Sequence, residues 1–586
     1  MSAGRWLKLS GVLTVVALAA VVVTAAQAAV GSMPVGAWQT NGRVEQIVVS
    51  GDTAYLVGQF TSMRPYGDPA GTGEVTRNRA AAIDVSTGTL LPWNPNANNT
   101  VQTLALSGST VYLGGLFSTV GGKNSKRLAA VDATTGAVLA AFKGSANAQV
   151  NDLALGNGLL YAGGAFTQAD GITRSYLAAV DPTTGALNSW APVADQQVKQ
   201  LELSSDGSRV FVGGPFTHMN GAVQSHLAAL NSTTGANLAW ISHPAASVVS
   251  LVVSGSTLYA GWTGNGGSFG AFNSSTGQLL WQGGVDGNVQ GVGLLDGLLY
   301  VGGHFDNYCG LVQGTNGCRS STPREHLLAV NAQTGAIDPW HPSANGTLGV
   351  FSVTGSNGVL TIGGDFTKVG GVSQQGFAEM TTITDPTVTD TAGGQPTTAG
   401  SVTVTASGST DSGPGFSGYR YQTSTDGGAT WSVNHNQSSV TISSPGTTLV
   451  RFQTYDAFGN TSNWITDTVT IQSTGTAQVT FKPAGSGTVG STGNATIHGT
   501  YTCSGAGPIT ISGTLSEAST GAQGTFSKAV VCPGTSTSTK WQIVVKPSGT
   551  ALFAAGAASE QVSWSSTDSG TNQPIGGSQT LNVTLS

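Results

Sequence analysis

Only 9% of this 586-residue chain is Asp, Glu, Lys or Arg, so the places where charge gathers are the first candidates for chemistry. Residues 61–79 hold Arg64, Asp68, Glu74, Arg77 and Arg79, and residues 306–326 hold Asp306, Arg319, Arg324 and Glu325 with His326 at their end. That is nine charges in 40 residues, more than twice the chain average. Charged loops on a rigid scaffold are where binding concentrates. Arg64, Asp68, Arg77, Arg79, Arg319, Arg324 and His326 are therefore the expected ligand-binding residues. Plain solvation of long loops is the competing explanation. The carboxylates Asp68, Glu74, Asp306, Glu325 and Asp365 could also assemble a glycoside-hydrolysing pair, which demands a separation that spacing does not supply.

A second set is periodic. Asn41, Asn98, Asn147, Asp195, Ala245, Asp286 and Asn345 recur through the first two thirds of the chain, six Asn or Asp in seven. A ring of such oxygens at a channel mouth could hold a structural cation or a polar ligand. The same residue types also begin turns by bonding their own backbone, and that reading carries more weight. Conventional catalytic signatures are absent: there is no GxSxG elbow, no HExxH and no P-loop, and the eight histidines are scattered. No metal centre and no cofactor beyond that cation are expected. The chain reads as a non-catalytic binding protein, with a polysaccharide-active enzyme as the alternative and a structural envelope or matrix protein as a third class.

The elements that would position these residues repeat seven times. Units open on Val44, Val101, Val150, Val198, Val248, Val289 and Leu348, at intervals of 57, 49, 48, 50, 41 and 59 residues. A period of roughly 40 to 50 residues belongs to propeller blades of four short strands. The cleanest unit alternates apolar and polar residues from 150 to 155, carries Tyr161, Gly163, Gly164 and Phe166, and ends on Trp190. The last aromatic recurs as Trp93, Phe142, Trp190, Trp240, Trp281 and Trp340, which predicts anchors between blades. Asx-Thr-Gly turns precede it, as at Asp181, Thr184 and Gly185. The seventh unit lacks its fourth strand, and Val35–Trp38 has the missing pattern at the other end of the chain. The expectation is an all-β protein with a seven-bladed propeller over 30–383, closed by its N-terminal strand, which leaves no sheet edge open. The two charged insertions would then flank one cleft on a common face.

Arg5 and Lys8 precede an apolar run from about residue 12 to 25, and Ala26-Gln27-Ala28 has the form of a cleavage site, so residues 1–28 read as a secretory signal peptide. Its removal leaves 20 basic and 28 acidic residues, a balance that disfavours nucleic acid, and no membrane span is expected afterwards. A secreted or extracellular, monomeric protein is predicted, released or held non-covalently at the cell surface, with an extracellular glycan or protein as its partner. Four cysteines pair by proximity as Cys309–Cys318 and Cys503–Cys532, disulfides in an exported chain. After Asp385 and Pro386 the composition shifts, and β-type alternation continues through 387–472 and 476–586 as two further sandwiches.

The blades resemble a family of secreted bacterial propeller repeats marked by a Tyr-x-Gly-Gly-x-Phe core, seen at 112–117 and 161–166 and weakest in the fifth unit, where Tyr259, Gly261 and Trp262 stand. The resemblance implies the fold and no particular activity. Kelch repeats share the Gly pair and the later Trp. Quinone-dependent dehydrogenases share the strand ending from Ala178 to Trp190, but they carry adjacent cysteines, and this chain has none. Residues 419–431, with Asp456, Gly459, Asn460 and Trp464, resemble the Ig-like repeats of secreted bacterial proteins, which implies a spacer, anchor or accessory binding module. Residues 476–586 are similar to small disulfide-bearing sandwiches of exported proteins.

Overall fold

A computed structural model describes residues 30–586 apart from 242, 265, 312–317, 319–320, 414, 473–476, 533–537 and 569–572. The expected signal peptide and Arg319 lie outside the described residues. The chain divides into two compact units that meet between Thr382 and Ile383. Among the described residues both units are built of strands, with no helix.

The first unit is a seven-bladed propeller. In blade three, Val150–Gly156 pairs antiparallel with Leu159–Gly164, which pairs with Leu177–Val180. The other six blades repeat this ladder, from Val44–Ser50, Thr53–Gly58 and Ala80–Asp84 in blade one to Val350–Ser356, Val359–Gly364 and Phe377–Thr381 in blade seven. Blade seven therefore opens on Val350, two residues later than the expected Leu348. Val350 is fully buried opposite Gly364, as Val44 is opposite Gly58, while Leu348 is 40% exposed.

The glycine pair explains how blades fit together. A Cβ on the first glycine, at Gly114, Gly163, Gly213, Gly261, Gly302 or Gly363, would stand 2.5–2.8 Å from the opening valine of the next blade. A Cβ on the second would strike a carbonyl of its own blade, as at Gly164, 2.2 Å from Gln149 O. That second contact sits where the inner strand bulges, between Val150 and Asp152 in blade three, with the same shift in blades one, two, five, six and seven. One glycine thus admits the neighbouring blade and the other admits the bulge.

Fourth strands are reduced. Among the described residues only blades one and five have a ladder there, Thr89–Leu90 and Leu279–Val285, and elsewhere single bridges such as Val131 to Val138 remain. The predicted aromatic holds this edge instead. Trp190 meets Tyr161 edge-on at 5.1 Å, and its indole N–H donates to Asn231 O of the next blade at 3.1 Å. Trp93 and Trp281 make the same bond to Asp132 O and Ala332 O. Trp340 makes it to Gly31 O, so the N-terminal segment stands where a next blade would be. Closure follows the expectation: Val30 and Val35 bridge to Thr382 and Glu379. Seven apolar clusters fill the wedges between successive blades, and the last joins Ala37 and Val44 to Phe377.

In the second unit, Thr387–Asp390, Val402–Ser407 and Ser439–Ile442 form one sheet and Phe416–Ser424, Gly446–Asp456 and Ile465–Ile471 another. Val404, Val450, Phe452 and Ile471 belong to the core they share. Seven strands from Gln478–Val489 to Pro574–Leu585 make a third sheet with a separate core around Ile511, Trp541 and Val562. Both expected disulfides are present, Cys309–Cys318 and Cys503–Cys532.

Two predictions follow from the closing seam. Gly363 carries no side chain because Val44 Cγ1 lies 2.6 Å from where a Cβ would be. Gly363→Ala should lower propeller stability by about 1–3 kcal/mol, read as a fall in urea midpoint; an unchanged midpoint would refute this account of the seam. Glu379, fully buried, has both carboxylate oxygens without a partner, and burial, with Asp84 adding repulsion, pushes its carboxyl up to about 8. Folded Glu379 keeps its proton while the unfolded group loses it near the ordinary glutamate value of 4.5. The folded state therefore binds more protons between these values, and stability falls as pH rises through that window. Glu379→Gln should gain stability relative to the parent from pH 5 to pH 8, and parallel melting curves across that range would contradict this.

Candidate functional site

The inner strands have no strand on their channel side, so N–H groups there lack a ladder partner. Side chains of the preceding blade supply the acceptors. Ile47 N–H donates to Ser352 Oγ (2.9 Å), Leu104 N–H to Gln46 Oε1 (2.7 Å), Leu201 N–H to Asp152 Oδ2 (2.7 Å) and Val292 N–H to Ser250 Oγ (3.0 Å). Each acceptor stands two residues after its blade's opening valine and each donor three. Asp152 Oδ1 also accepts the Thr103 hydroxyl at 2.9 Å, and Glu202 Oε1 accepts Val253 N–H at 3.4 Å. Burial pushes the Asp152 carboxyl up to about 7 against the pull of its hydrogen bonds. It pushes Glu202 up to about 8, with Asp152 adding repulsion.

These strands surround a cavity of about 740 Å³. The residue directly after each opening valine lines it, giving Glu45, Gln102, Asn151, Lys199, Val249, Gln290 and Phe351 in blades one to seven. Blades one to three are linked there by hydrogen bonds. Gln149 Nε2 donates to Gln102 Oε1 (3.2 Å), and Gln102 Nε2 donates to Glu45 Oε2 (3.3 Å). Glu45 Oε1 accepts Gln59 Nε2 at 2.8 Å and both Nε and Nη2 of Arg43 at 2.8 and 2.6 Å. The Arg43 guanidinium lies 4.5 Å over the Phe351 ring. On the other side two polar groups are left without partners. Among the described residues Lys199 has no acceptor for its ammonium, and Gln290 Oε1 is buried without a donor. Burial lowers the Lys199 ammonium.

The residues expected from charge are placed elsewhere. Arg77 Nη1 and Nη2 donate to Thr76 O and Leu91 O, and Arg324 repeats this with Pro323 O and Asp338 O. Arg174 does the same in blade three, with Thr173 O and Asn188 O, so this arginine pins the outer segment of its own blade. Arg77 and Arg324 are buried, their Nε atoms have no partner, and burial lowers both guanidiniums. Arg64, also buried, donates to Asp68 O, Gln39 Oε1 and Gln375 Oε1. Arg79 and His326 share a left-handed backbone position with Arg127, Tyr176 and His226, at φ from 64° to 70°. Arg79 donates to Gln59 O, and the buried His326 bonds Ala344 O through Nδ1 at 2.6 Å. Asp68 is half-buried. Neither the channel cavity nor a second cavity, between blades five, six and seven on the opposite face, is lined by either insertion. The hairpin of the sixth insertion, Asn307–Leu311 with Thr322–Pro323, pairs with Leu279–Val285 and so extends the sheet of blade five.

The expected ring of Asn41, Asn98, Asn147, Asp195, Asp286 and Asn345 does not line the channel cavity either. Each is a clamp on the loop between the second and third strands. Asn41 Oδ1 accepts N–H groups of Thr61 and Ser62 (2.8 and 3.1 Å), and Asn98, Asn147, Asp286 and Asn345 repeat this double bond. Asp195 accepts Thr217 N–H and hydroxyl and pairs with His218 at 3.1 Å. Consecutive N–H groups in a tight loop need one acceptor, and a short Asx side chain reaches both. Among the described residues no group of three or more His, Cys, Asp or Glu is gathered for a metal ion.

The channel residues were missed because they are not periodic in type. Glu, Gln, Asn, Lys, Val, Gln and Phe share one position and no chemistry; counting one residue past each expected opening would have found the first six, and Phe351 only once Val350 replaces Leu348 as the opening residue.

No curated protein matches this chain. Distantly similar solved structures include the crystal structure of the computationally designed Ika8 protein, at 13% identity and TM-score 0.37 over 74% of this chain and 99% of that one, and the crystal structure of RRP9 WD40 repeats, at 13% identity and TM-score 0.40 over 60% and 100%. A family model described as outer membrane protein assembly factor BamB matches residues 24–282 and, in an overlapping second placement, 124–364. Matches overlapping by whole blades are what a repeated unit produces, and together they span all seven inner strands, so the chain belongs to the propeller-repeat family of outer membrane protein assembly factor BamB.

Proposed function

We propose that the protein is an exported, non-catalytic binding protein whose propeller is a rigid recognition platform. Residues 387–472 serve as an Ig-like sandwich, and residues 476–586, where a second sandwich was expected, form a single seven-stranded sheet; both act as spacers or accessory modules. The observation that carries the reading is the channel mouth, where open polar groups stand on strands locked to one another by inter-blade hydrogen bonds. Export is supported by the two disulfides and by the leader-like residues 1–28. The description of the family as an assembly factor favours a protein partner over a glycan. No described helix is long and apolar enough to cross a membrane.

Beside the strands Phe416–Ser424 and Gly446–Asp456, three aromatic rings of the sandwich lie under arginines. Arg451 lies 3.9 Å over Trp431 and 4.6 Å over Trp464, and Arg420 lies 5.8 Å over Tyr455. Guanidiniums cover those rings.

One observation favours an enzyme acting on extracellular polysaccharide: Asp152 and Glu202 both line the cavity with raised carboxyl pKa values. Both already accept backbone N–H groups of the following blade, which is structural work. An array of extracellular proteins, glycans and cell-wall fragments, probed with the chain from residue 29 and with its Glu202→Gln variant, separates the readings. Retained, uncleaved ligand on both proteins is expected. Fragments released by the parent and not by Glu202→Gln would establish the enzyme. A folded parent that holds nothing and self-associates in light scattering would make it a structural matrix protein.

A further inference from the structure

The two sides of the channel mouth differ in what they can still bind. Across blades one to three, Gln149, Gln102, Glu45 and Arg43 satisfy one another. Across blades four to seven, among the described residues, Lys199 has no acceptor, Val249 follows it around the ring, Gln290 Oε1 is buried with no donor, and Phe351 comes next. A buried amide oxygen without a donor is costly unless a ligand or water supplies one.

The charges point the same way. Arg43 and Glu45 form an ion pair at 2.6 Å. Of the remaining charged groups that line the cavity, Asp152 and Glu202 are carboxyls pushed up to about 7 and about 8 by burial, so Glu202 is largely protonated at neutral pH. Lys199, whose ammonium burial lowers, is the basic group left in this confined space, with no carboxylate within ion-pair distance among the described residues. An anion with an N–H donor beside it and an apolar group would complete this half of the ring.

Resting on the platform reading, we propose that the channel mouth binds a carboxylate flanked by an N–H group, the chemistry shared by a peptide C-terminus and a free N-acyl amino acid. The carboxylate pairs with Lys199, the N–H donates to Gln290 Oε1, and the side chain packs on Val249 and Phe351. A cavity of about 740 Å³ is in the size range of pockets that enclose such groups.

Calorimetric titration of the chain from residue 29 tests this with four probes: N-acetyl-leucine, N-acetyl-leucine amide, and the pentapeptide Gly-Gly-Ala-Ala-Leu as free acid and as C-terminal amide. Both acids are expected to bind at least tenfold tighter than their amides. Lys199→Met should remove that preference, and Gln290→Leu should weaken both acids about tenfold, with melting temperatures no lower than the parent's. A pentapeptide acid tenfold tighter than N-acetyl-leucine identifies a peptide C-terminus as the source; equal affinities identify the small molecule. Acids and amides binding alike, or no probe binding to folded parent, overturns the proposal. An array ligand that survives Lys199→Met would sink this site and leave the platform reading standing; acid binding with an empty array would do the reverse.

Discussion

Everything in the propeller depends on the unpaired edge of the inner strand. Seven strands face a channel with their outer ladder made and their inner one absent, and a row of N–H groups left that way would be a standing cost. At four of the seven strands the neighbouring blade lowers it with Ser352, Gln46, Asp152 and Ser250, each reaching a backbone N–H one blade on. That bond requires close approach of blades, which the first glycine of the pair permits, and a bulge in the strand, which the second permits. Sheet pairing, glycine placement and ring closure are three aspects of one constraint.

The fold was legible because that constraint recurs with the period of the blade. Tyr-x-Gly-Gly-x-Phe encodes it, and Trp93, Trp190, Trp281 and Trp340 mark where each outer edge is tied across the wedge. The opening of blade seven was misplaced by two residues because Leu348 imitates an opening valine in type, while burial and pairing select Val350. Fourth strands were expected as ladders because alternation continues there; the indole bond makes most of the ladder unnecessary.

The proposed channel site was not legible, for a physical reason on each side. Charge in a loop was read as available for a ligand, but Arg77 and Arg324 are held by backbone carbonyls 14 residues along, and a guanidinium fork suits that task as well as it suits a substrate. The Asn and Asp set was periodic because it is structural, and periodicity in a repeat protein marks what every blade needs. Function calls for what only some blades have. Lys199 and Gln290 occupy one repeated position with different side chains, and it is the asymmetry of the ring that separates them from the scaffold.

Closure by the N-terminal segment also sets an order of events. Val35, among the first residues of the propeller to be synthesised, pairs with Glu379, about 340 residues later. Bringing such distant points together costs about 5 kcal/mol of chain entropy beyond a constant, and no local contact offsets it in advance. Blades one to six can assemble from neighbouring sequence as they emerge, while the seventh waits for both ends of the chain. Until then the open ring presents Trp340 without Gly31 and Val44 without Gly363. The joint is thus the last part of the ring to form and the contact on which its cooperativity rests.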